Sequence, residues 1–302
     1  MVQDFFLRMA RGDAGPVYAV VRGALIPVAG LFGWAVSFRN SLYDRNILTR
    51  QSAAVPVVSV GNLTVGGTGK TPTVAYVTRA LAGLGRRPGI LSRGYGGRAG
   101  DEGLSDENLQ LCESLPGVPL LEDRDRVRGA IRLVAEESVD CIVLDDGFQH
   151  RRLSRDLDIC LVDATTPVGS GWLLPAGLLR EHLEGLSRAT VVLLTRCDLV
   201  SREALDALRE RIASWGFGGE VLTSVMRPVT ILGPGGRDLS WLRDKSVYLF
   251  SGVGNPASFQ RVVEDLGATV CGYEVFPDHY PYDGEDMTRV SRLAGRRGPR
   301  AC

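Results

Sequence analysis

Short apolar runs alternate with amphipathic segments along most of this chain, which is the pattern of parallel strands connected by helices. The runs that read as buried strands are residues 55–60, 89–92, 141–144, 159–163, 191–195, 247–251 and 270–276. The helical segments between them are residues 73–84, 108–114, 124–137, 203–214 and 257–266. We therefore expect an α/β fold with a mostly parallel sheet over residues 51–244 and a smaller α/β domain over residues 245–302.

The first strand leads into a glycine-rich turn, which carries the strongest chemical signal in the chain. Strand, glycine loop and helix in this order are typical of the phosphate-binding loop of P-loop NTPases. Lys70 would reach the β- and γ-phosphates of a nucleotide and the Thr71 hydroxyl would bind Mg²⁺, although the strict motif has glycine where this chain has Thr64. The predicted nucleotide-binding residues are Thr64, Val65, Gly66, Gly67, Thr68, Gly69, Lys70, Thr71 and Pro72.

A second signal is the apolar run 141–144, which ends in Asp145-Asp146-Gly147-Phe148-Gln149-His150. A buried strand that ends in acid downstream of a phosphate loop is the usual position for Mg²⁺-binding carboxylates. We expect Asp145 and Asp146 to hold the metal directly or through water. Gln149 and His150 would position substrate or a water.

Charged loops follow two other predicted strands. Arg93 opens a glycine-rich loop after residues 89–92, and Arg180-Glu181 closes a proline- and glycine-broken loop that begins near residue 169. These arginines are candidates for binding an anionic substrate, with solvated surface arginine as the alternative. Two acidic pairs, Asp101-Glu102 and Asp106-Glu107, precede a helix, where carboxylates often serve only the helix dipole.

The first fifty residues differ from the rest. Residues 23–38 are almost wholly apolar or small, and arginines flank them on both sides. The run is shorter than the roughly 20 residues that span a bilayer, and Pro27 interrupts it. Two interpretations stay open, namely a helix lying in a membrane interface and a helix packed on the protein's own core.

Composition indicates the redox state of the compartment and argues against some classes of partner. The 302 residues carry 35 basic and 35 acidic side chains, so nothing indicates a nucleic acid as partner. The six cysteines are scattered without a Cys-x-x-Cys pair, which favours a reducing compartment. Three dispersed histidines do not suggest a histidine-rich metal site.

Together, these segments resemble the tetraacyldisaccharide 4'-kinases, membrane-associated enzymes that phosphorylate a lipid A precursor. The segments that carry the resemblance are residues 61–65, 92–97, 145–153, 174–177, 179–181, 252–256 and 276–279. The resemblance implies ATP-dependent, Mg²⁺-assisted transfer of the γ-phosphoryl group to the 4'-hydroxyl of a tetraacyldisaccharide 1-phosphate, giving lipid IVA. It also implies that the amino-terminal helix attaches the protein peripherally to the cytoplasmic face of the inner membrane.

The resemblance further assigns roles to individual residues. Asp106 matches the catalytic base, with Asp101 as the runner-up, and His279 matches a histidine that orients the base. With Lys70 these form the expected catalytic set. The expected substrate-binding residues are Asn62, Arg93, Gln149, His150, Arg180 and Glu181. The family normally continues past its Asp-His segment through another strand, which predicts a shortened second domain here.

Two alternatives come from other functional classes. Thr195-Arg196-Cys197-Asp198 follows a strand as the guanine-reading motif of GTPases does, with arginine at the usual lysine position. This segment favours a GTPase or ATPase switch. The other alternative is a membrane-associated ATP-binding protein without lipid kinase activity.

Overall fold

The structure is a computed structural model that describes residues 15–94, 104–232, 238–253, 256–277 and 280–296. The chain divides into two compact units, Met1–Val225 and Met226–Cys302. The predicted division at residues 244 and 245 stays a prediction.

The first unit is built on a seven-stranded parallel sheet, which confirms the predicted fold class. Its strands, β1 to β7 in chain order, are Val57–Asn62, Pro88–Ser92, Leu120–Glu122, Cys141–Asp145, Leu157–Asp163, Val191–Thr195 and Glu220–Thr223. Their order across the sheet is β3-β2-β4-β1-β5-β6-β7. β1 is therefore central, with β4 on one side and β5 on the other, and the chain leaves β1 toward the β2 side. Ligands of open α/β sheets bind at the carboxyl ends of strands at such a reversal point.

Helices cover both faces of this sheet. In chain order they are α1 to α5, spanning Pro16–Asp44, Lys70–Gly83, Asp106–Ser114, Arg126–Glu137 and Arg202–Ser214. Ile90 packs in one apolar cluster with residues of α2 and α3, while its neighbour Leu91 packs in another with residues of α4. Successive strand residues point to opposite faces, so β2 is buried on both sides, as its continuous apolar run predicts.

Most predicted elements are present with ends shifted by a few residues. α2 begins at Lys70 and α3 at Asp106, earlier than the apolar periodicity indicated, because the first turn of each helix is polar. β3 and β7 were not predicted. Both lie at the edges of the sheet and lack fully buried residues, so they show no apolar run.

The amino-terminal segment forms a single long helix, which corrects the expectation that Pro27 interrupts it. Pro27 lacks the N–H that would bond the carbonyl of Gly23. Both residues are exposed, so that carbonyl is not buried, and the helix continues. One face of α1 packs on the sheet unit through Ala29 and Gly33, and the rest is mostly exposed. By length and composition, α1 is apolar enough to cross a membrane.

The second unit is smaller. It contains a parallel pair of strands, β8 (Ser246–Ser251) and β9 (Thr269–Val275), with helices α6 (Pro256–Asp265) and α7 (Gly284–Arg296). Leu249, Val263 and Ala268 form its small apolar core. α7 was not predicted from the sequence.

Gly61 gives a test of the close packing between β1 and the turn after β4. A Cβ atom built on Gly61 would lie 2.7 Å from the backbone nitrogen of Phe148. Because backbone must shift to accept it, we expect Gly61→Ala to lower the free energy of unfolding by about 1–3 kcal/mol, measured by urea denaturation. The matched control is Gly83→Ala at the end of α2, where nothing lies within 4 Å. Equal effects at the two positions would contradict this account.

Candidate active site

The phosphate loop lies between β1 and α2, at the centre of the sheet. Gly66 and Gly69 have φ angles of 117° and 89°, which side chains rarely adopt, so both glycines are needed for the turn. Asn62, fully buried at the end of β1, donates from Nδ2 to Oγ1 of Thr68 at 2.8 Å. Lys70 donates from Nζ to Oδ1 of Asn62 at 3.5 Å. Asn62, predicted to bind substrate, therefore holds the loop and its lysine.

The segment that suggested a GTPase instead contacts the phosphate loop. Thr195 donates from Oγ1 to the carbonyl of Thr68 at 3.0 Å, and Arg196 donates to the carbonyl of Gly67 at 2.6 Å. Arg196 also forms an ion pair with Asp163 at the end of β5. These contacts explain why threonine and arginine occupy positions 195 and 196, so guanine binding is not needed to explain them.

The acidic pair lies at the carboxyl end of β4, where Asp145 is the last strand residue, and it is close to the lysine of the phosphate loop. Asp146 has a φ of 51°, and this turn places its carboxylate between two cations. Arg180 Nη1 donates to both oxygens of Asp146 at 2.8 and 2.7 Å, and Lys70 Nζ lies 3.9 Å from Oδ1. Asp145 is buried, and its Oδ1 has no hydrogen-bond partner among the described residues.

The two carboxyl groups titrate in opposite directions. Burial, together with the charge of Asp146, raises the pKa of Asp145 to about 6. Burial also acts to raise the pKa of Asp146, but the charges of Lys70 and Arg180 outweigh it, so this pKa is lowered. Asp146 is thus a fixed anion paired with protein cations, whereas Asp145 is a buried acid for which the described residues provide no ion pair.

Gln149, Arg180 and Glu181 meet beside the acidic pair. Gln149 Nε2 donates to the carbonyl of Asn62 at 2.8 Å and to Oε1 of Glu181 at 3.1 Å. Arg180 contacts Oε1 of Gln149 at 3.3 Å. His150 is not part of this group. Burial, and the charge of Arg126, lower the pKa of His150 to about 4, so its ring is neutral near pH 7.

Asp106 is the first residue of α3 and is exposed. The neighbouring Glu107 lies close enough for its charge to raise the pKa of Asp145, so the start of α3 lies near the acidic strand end. Glu122 anchors this start, because its Oε1 accepts from the backbone and hydroxyl of Ser105 at 3.0 and 3.2 Å, and also from Asn108. Arg93 is exposed just after β2. The predicted Asp101 and His279 lie outside the described residues.

Arg126 contacts the end of the acidic strand but was not among the residues predicted from the sequence. Arg126 is buried at the start of α4 and donates to the carbonyls of Asp123 at 2.8 Å and Asp145 at 3.2 Å. Its charge lowers the pKa of Asp145. An arginine at the first position of a helix, where the dipole disfavours a cation, is a signal that could have indicated this role.

A central phosphate loop, an acidic strand end beside its lysine and a parallel sheet define a phosphate-loop nucleotide-binding protein of the α/β class. Comparisons with known proteins identify the family within this class. The family model for tetraacyldisaccharide-1-P 4'-kinase, LpxK, matches residues 21–300.

Related sequences and one solved structure agree with that match. A tetraacyldisaccharide 4'-kinase of Anaeromyxobacter sp. (strain K) is 40% identical over 95% of this chain and 80% of its own length. The protein of that name from Geobacter sulfurreducens is 34% identical over 96% of this chain and 85% of its own length. A crystal structure of LpxK from Aquifex aeolicus in complex with ATP superimposes with a TM-score of 0.68 at 31% identity, covering 87% of this chain and 86% of that one. The chain belongs to the tetraacyldisaccharide-1-P 4'-kinase family.

The buried Asp145 predicts a pH-dependent cost to stability. Its folded pKa of about 6 lies above the ordinary value of 3.8, so the ionised form favours unfolding and the cost is fully present above pH 6. We expect Asp145→Asn to raise the free energy of unfolding at about pH 8, without nucleotide or metal, on the order of 2–3 kcal/mol. The gain should shrink as the pH falls below about 6.

Urea denaturation at several pH values measures this gain. Asp198→Asn, at an exposed position, is the control and should change little. Destabilisation by Asp145→Asn at alkaline pH would contradict the assigned cause.

Arg196 predicts an effect on nucleotide binding. Loss of its contact with Gly67 would leave the loop less well held, so we expect Arg196→Ala to weaken ATP binding roughly tenfold, or about 1.4 kcal/mol. Titration calorimetry measures the affinity. Arg209→Ala is the matched control, because Arg209 pairs with Asp206 on the exposed face of α5. Equal ATP affinity in the two variants would show that the contact is not needed.

Proposed function

We propose that this protein transfers the γ-phosphoryl group of ATP to the 4'-hydroxyl of a tetraacyldisaccharide 1-phosphate, giving lipid IVA. Family membership supports the reaction and the substrate class. The structural observation that carries the proposal is the meeting of the phosphate loop with the acidic strand end, where Lys70 Nζ lies 3.9 Å from Asp146. This arrangement gathers the groups that position and neutralise phosphates during transfer.

Mg²⁺ fits this site. Asp145 offers a buried carboxylate oxygen without a hydrogen-bond partner among the described residues, which is the state expected of a cation ligand. Thr71, at the second position of α2, would supply a hydroxyl, and Asp146 would contribute through water while paired with Arg180. Bound Mg²⁺ would supply charge neutralisation on the transferring phosphates.

The chain's own groups account for the remaining steps. The loop amides, the start of α2 and Lys70 would bind the β- and γ-phosphates. Asp106 would take the proton of the 4'-hydroxyl as that oxygen attacks in line. Its position at the start of α3, with the neighbouring Glu107 close enough to influence Asp145, supports this role. Asp101 is the alternative base. His279 is the residue that would orient Asp106.

Substrate binding is proposed for the polar groups around the acidic pair and at the end of β2. Arg93 is exposed at the carboxyl end of β2 and is proposed to contact the 1-phosphate of the substrate, whereas Arg180 is paired with Asp146. Gln149, which contacts Arg180, and Glu181, which accepts from Gln149, are proposed to contribute to substrate binding, and Asn62 would act through the loop. His150, being neutral, would contribute only a hydrogen bond.

We also propose that α1 attaches the protein to the cytoplasmic face of the inner membrane, as a peripheral protein. The support is its exposed apolar surface, which includes stacked Trp34 and Phe38 rings 5.5 Å apart. Arg22 and Arg39 border this surface, as basic residues border membrane-interface helices. An acylated substrate resides in the same membrane, so the attachment would bring enzyme and acceptor together.

The direct test incubates the protein with γ-labelled ATP, Mg²⁺ and tetraacyldisaccharide 1-phosphate and follows label on the lipid. We expect Lys70→Ala and Asp106→Ala to lower kcat by at least about a hundredfold, because each removes a group that acts in the transition state. Both variants should unfold at nearly the wild-type temperature.

Two controls accompany this test. Asp101→Ala separates the alternative bases, since loss of activity there with a near-normal Asp106→Ala would reverse the assignment. GTP in place of ATP separates a kinase from a switch. Hydrolysis of GTP without labelled lipid would refute the proposed function.

A further inference from the structure

Glu181 is a buried carboxylate held by donors from three separate segments. Its side chain is only 1% exposed. Asn40 Nδ2 of α1 donates to Oε2 at 3.0 Å, Arg188 donates to Oε2 at 2.8 Å, and Gln149 donates to Oε1 at 3.1 Å. A buried carboxylate needs such donors, so its position is set by them.

Glu181 in turn fixes which way the Gln149 amide points. The Nε2 group faces the carbonyl of Asn62 and the carboxylate of Glu181, both of which only accept hydrogen bonds. The amide oxygen must therefore face Arg180, which contacts it at 3.3 Å. Arg180 holds both oxygens of Asp146, whose Oδ1 lies 3.9 Å from Lys70 Nζ.

The last turns of α1 are joined to the same group by further contacts. Arg151, which is buried, donates to the carbonyl of Asn40 at 2.9 Å and to Asp44 at 2.5 Å. Arg39 donates to the carbonyl of Gln149 at 3.4 Å. The end of the apolar helix is thus bonded to the turn that follows the acidic pair.

We propose that Asn40 is a positioning residue for phosphoryl transfer, acting through Glu181 and Gln149 on the Arg180–Asp146 pair beside Lys70. The proposal rests on the proposed kinase function. Asn40 touches neither nucleotide nor acceptor in this account. It supplies the hydrogen bond that keeps the Glu181 carboxylate where it can orient the Gln149 amide. Without it, Gln149 and Arg180 lose their fixed geometry while the phosphate loop itself stays intact.

Asn40→Asp is the sharpest test, because the new side chain has nearly the same shape but no donor when ionised. We expect kcat to fall about 10- to 100-fold, with the KM for ATP changing less than about threefold. The loss should diminish at acidic pH, where a proton shared between the introduced carboxyl and Glu181 restores a donor. A general loss of folding would not show this dependence. Asn40→Gln, which keeps the amide, should retain more activity than Asn40→Ala.

Ser37→Ala is the matched control. Ser37 lies one turn earlier on α1 and lines the same cavity of about 430 Å³ as Asn40 and Glu181. It should keep normal kcat and melting temperature.

The outcomes separate the two proposals. If the unaltered chain transfers label and Asn40→Asp keeps its kcat at every pH, the positioning role is wrong and the kinase function stands. If the unaltered chain transfers no label, the kinase function is wrong and the positioning role falls with it. A kcat loss of the same size at every pH would assign Asn40 to structure alone.

Discussion

Two adjacent carboxylates at the end of one buried strand are the constraint on which this site depends. Asp145 and Asp146 repel each other in a poorly solvated place, and the protein resolves this unequally. Asp146 turns toward Arg180 and Lys70, whereas one oxygen of Asp145 has no hydrogen-bond partner in the part of the chain that the structure describes. The phosphate loop must lie at the same end of the sheet, because one of the two compensating cations is its lysine. Strand order, loop and charge balance are therefore parts of a single arrangement.

Much of the first unit could be predicted because buried parallel strands leave continuous apolar runs in the sequence. β6 was predicted with its observed ends, since Thr190 precedes its apolar run and the polar Thr195-Arg196 pair ends it. β3 and β7 could not be found in this way, because edge strands need no apolar run on both faces. The amino-terminal helix was predicted, but its continuity through Pro27 was not, because a proline is tolerated there only where the freed carbonyl is exposed, which is a property of the folded chain.

The residues of the candidate site likewise include some that the sequence could predict and others that it could not. Lys70, Asp145 and Asp146 could be recognised because local sequence order fixes their chemistry. The partners that orient them could not, since Asn40 and Glu181 are 141 positions apart and meet only through folding. Glu122 is equally invisible as a capping group for α3, because it lies on an edge strand downstream of the helix it anchors. Supporting hydrogen bonds of this kind have no short motif.

The long amino-terminal helix is subject to two different requirements along its length. In the proposed membrane attachment, the exposed positions around Leu31 and Trp34 contribute only apolar surface, which many residues could supply. At Asn40 and Asp44, by contrast, single atoms are bonded to buried groups. Substitutions should therefore accumulate freely in the outward part of this helix and rarely in its final two turns. A variant designed for higher solubility in water would need substitutions only in the exposed apolar part of this helix.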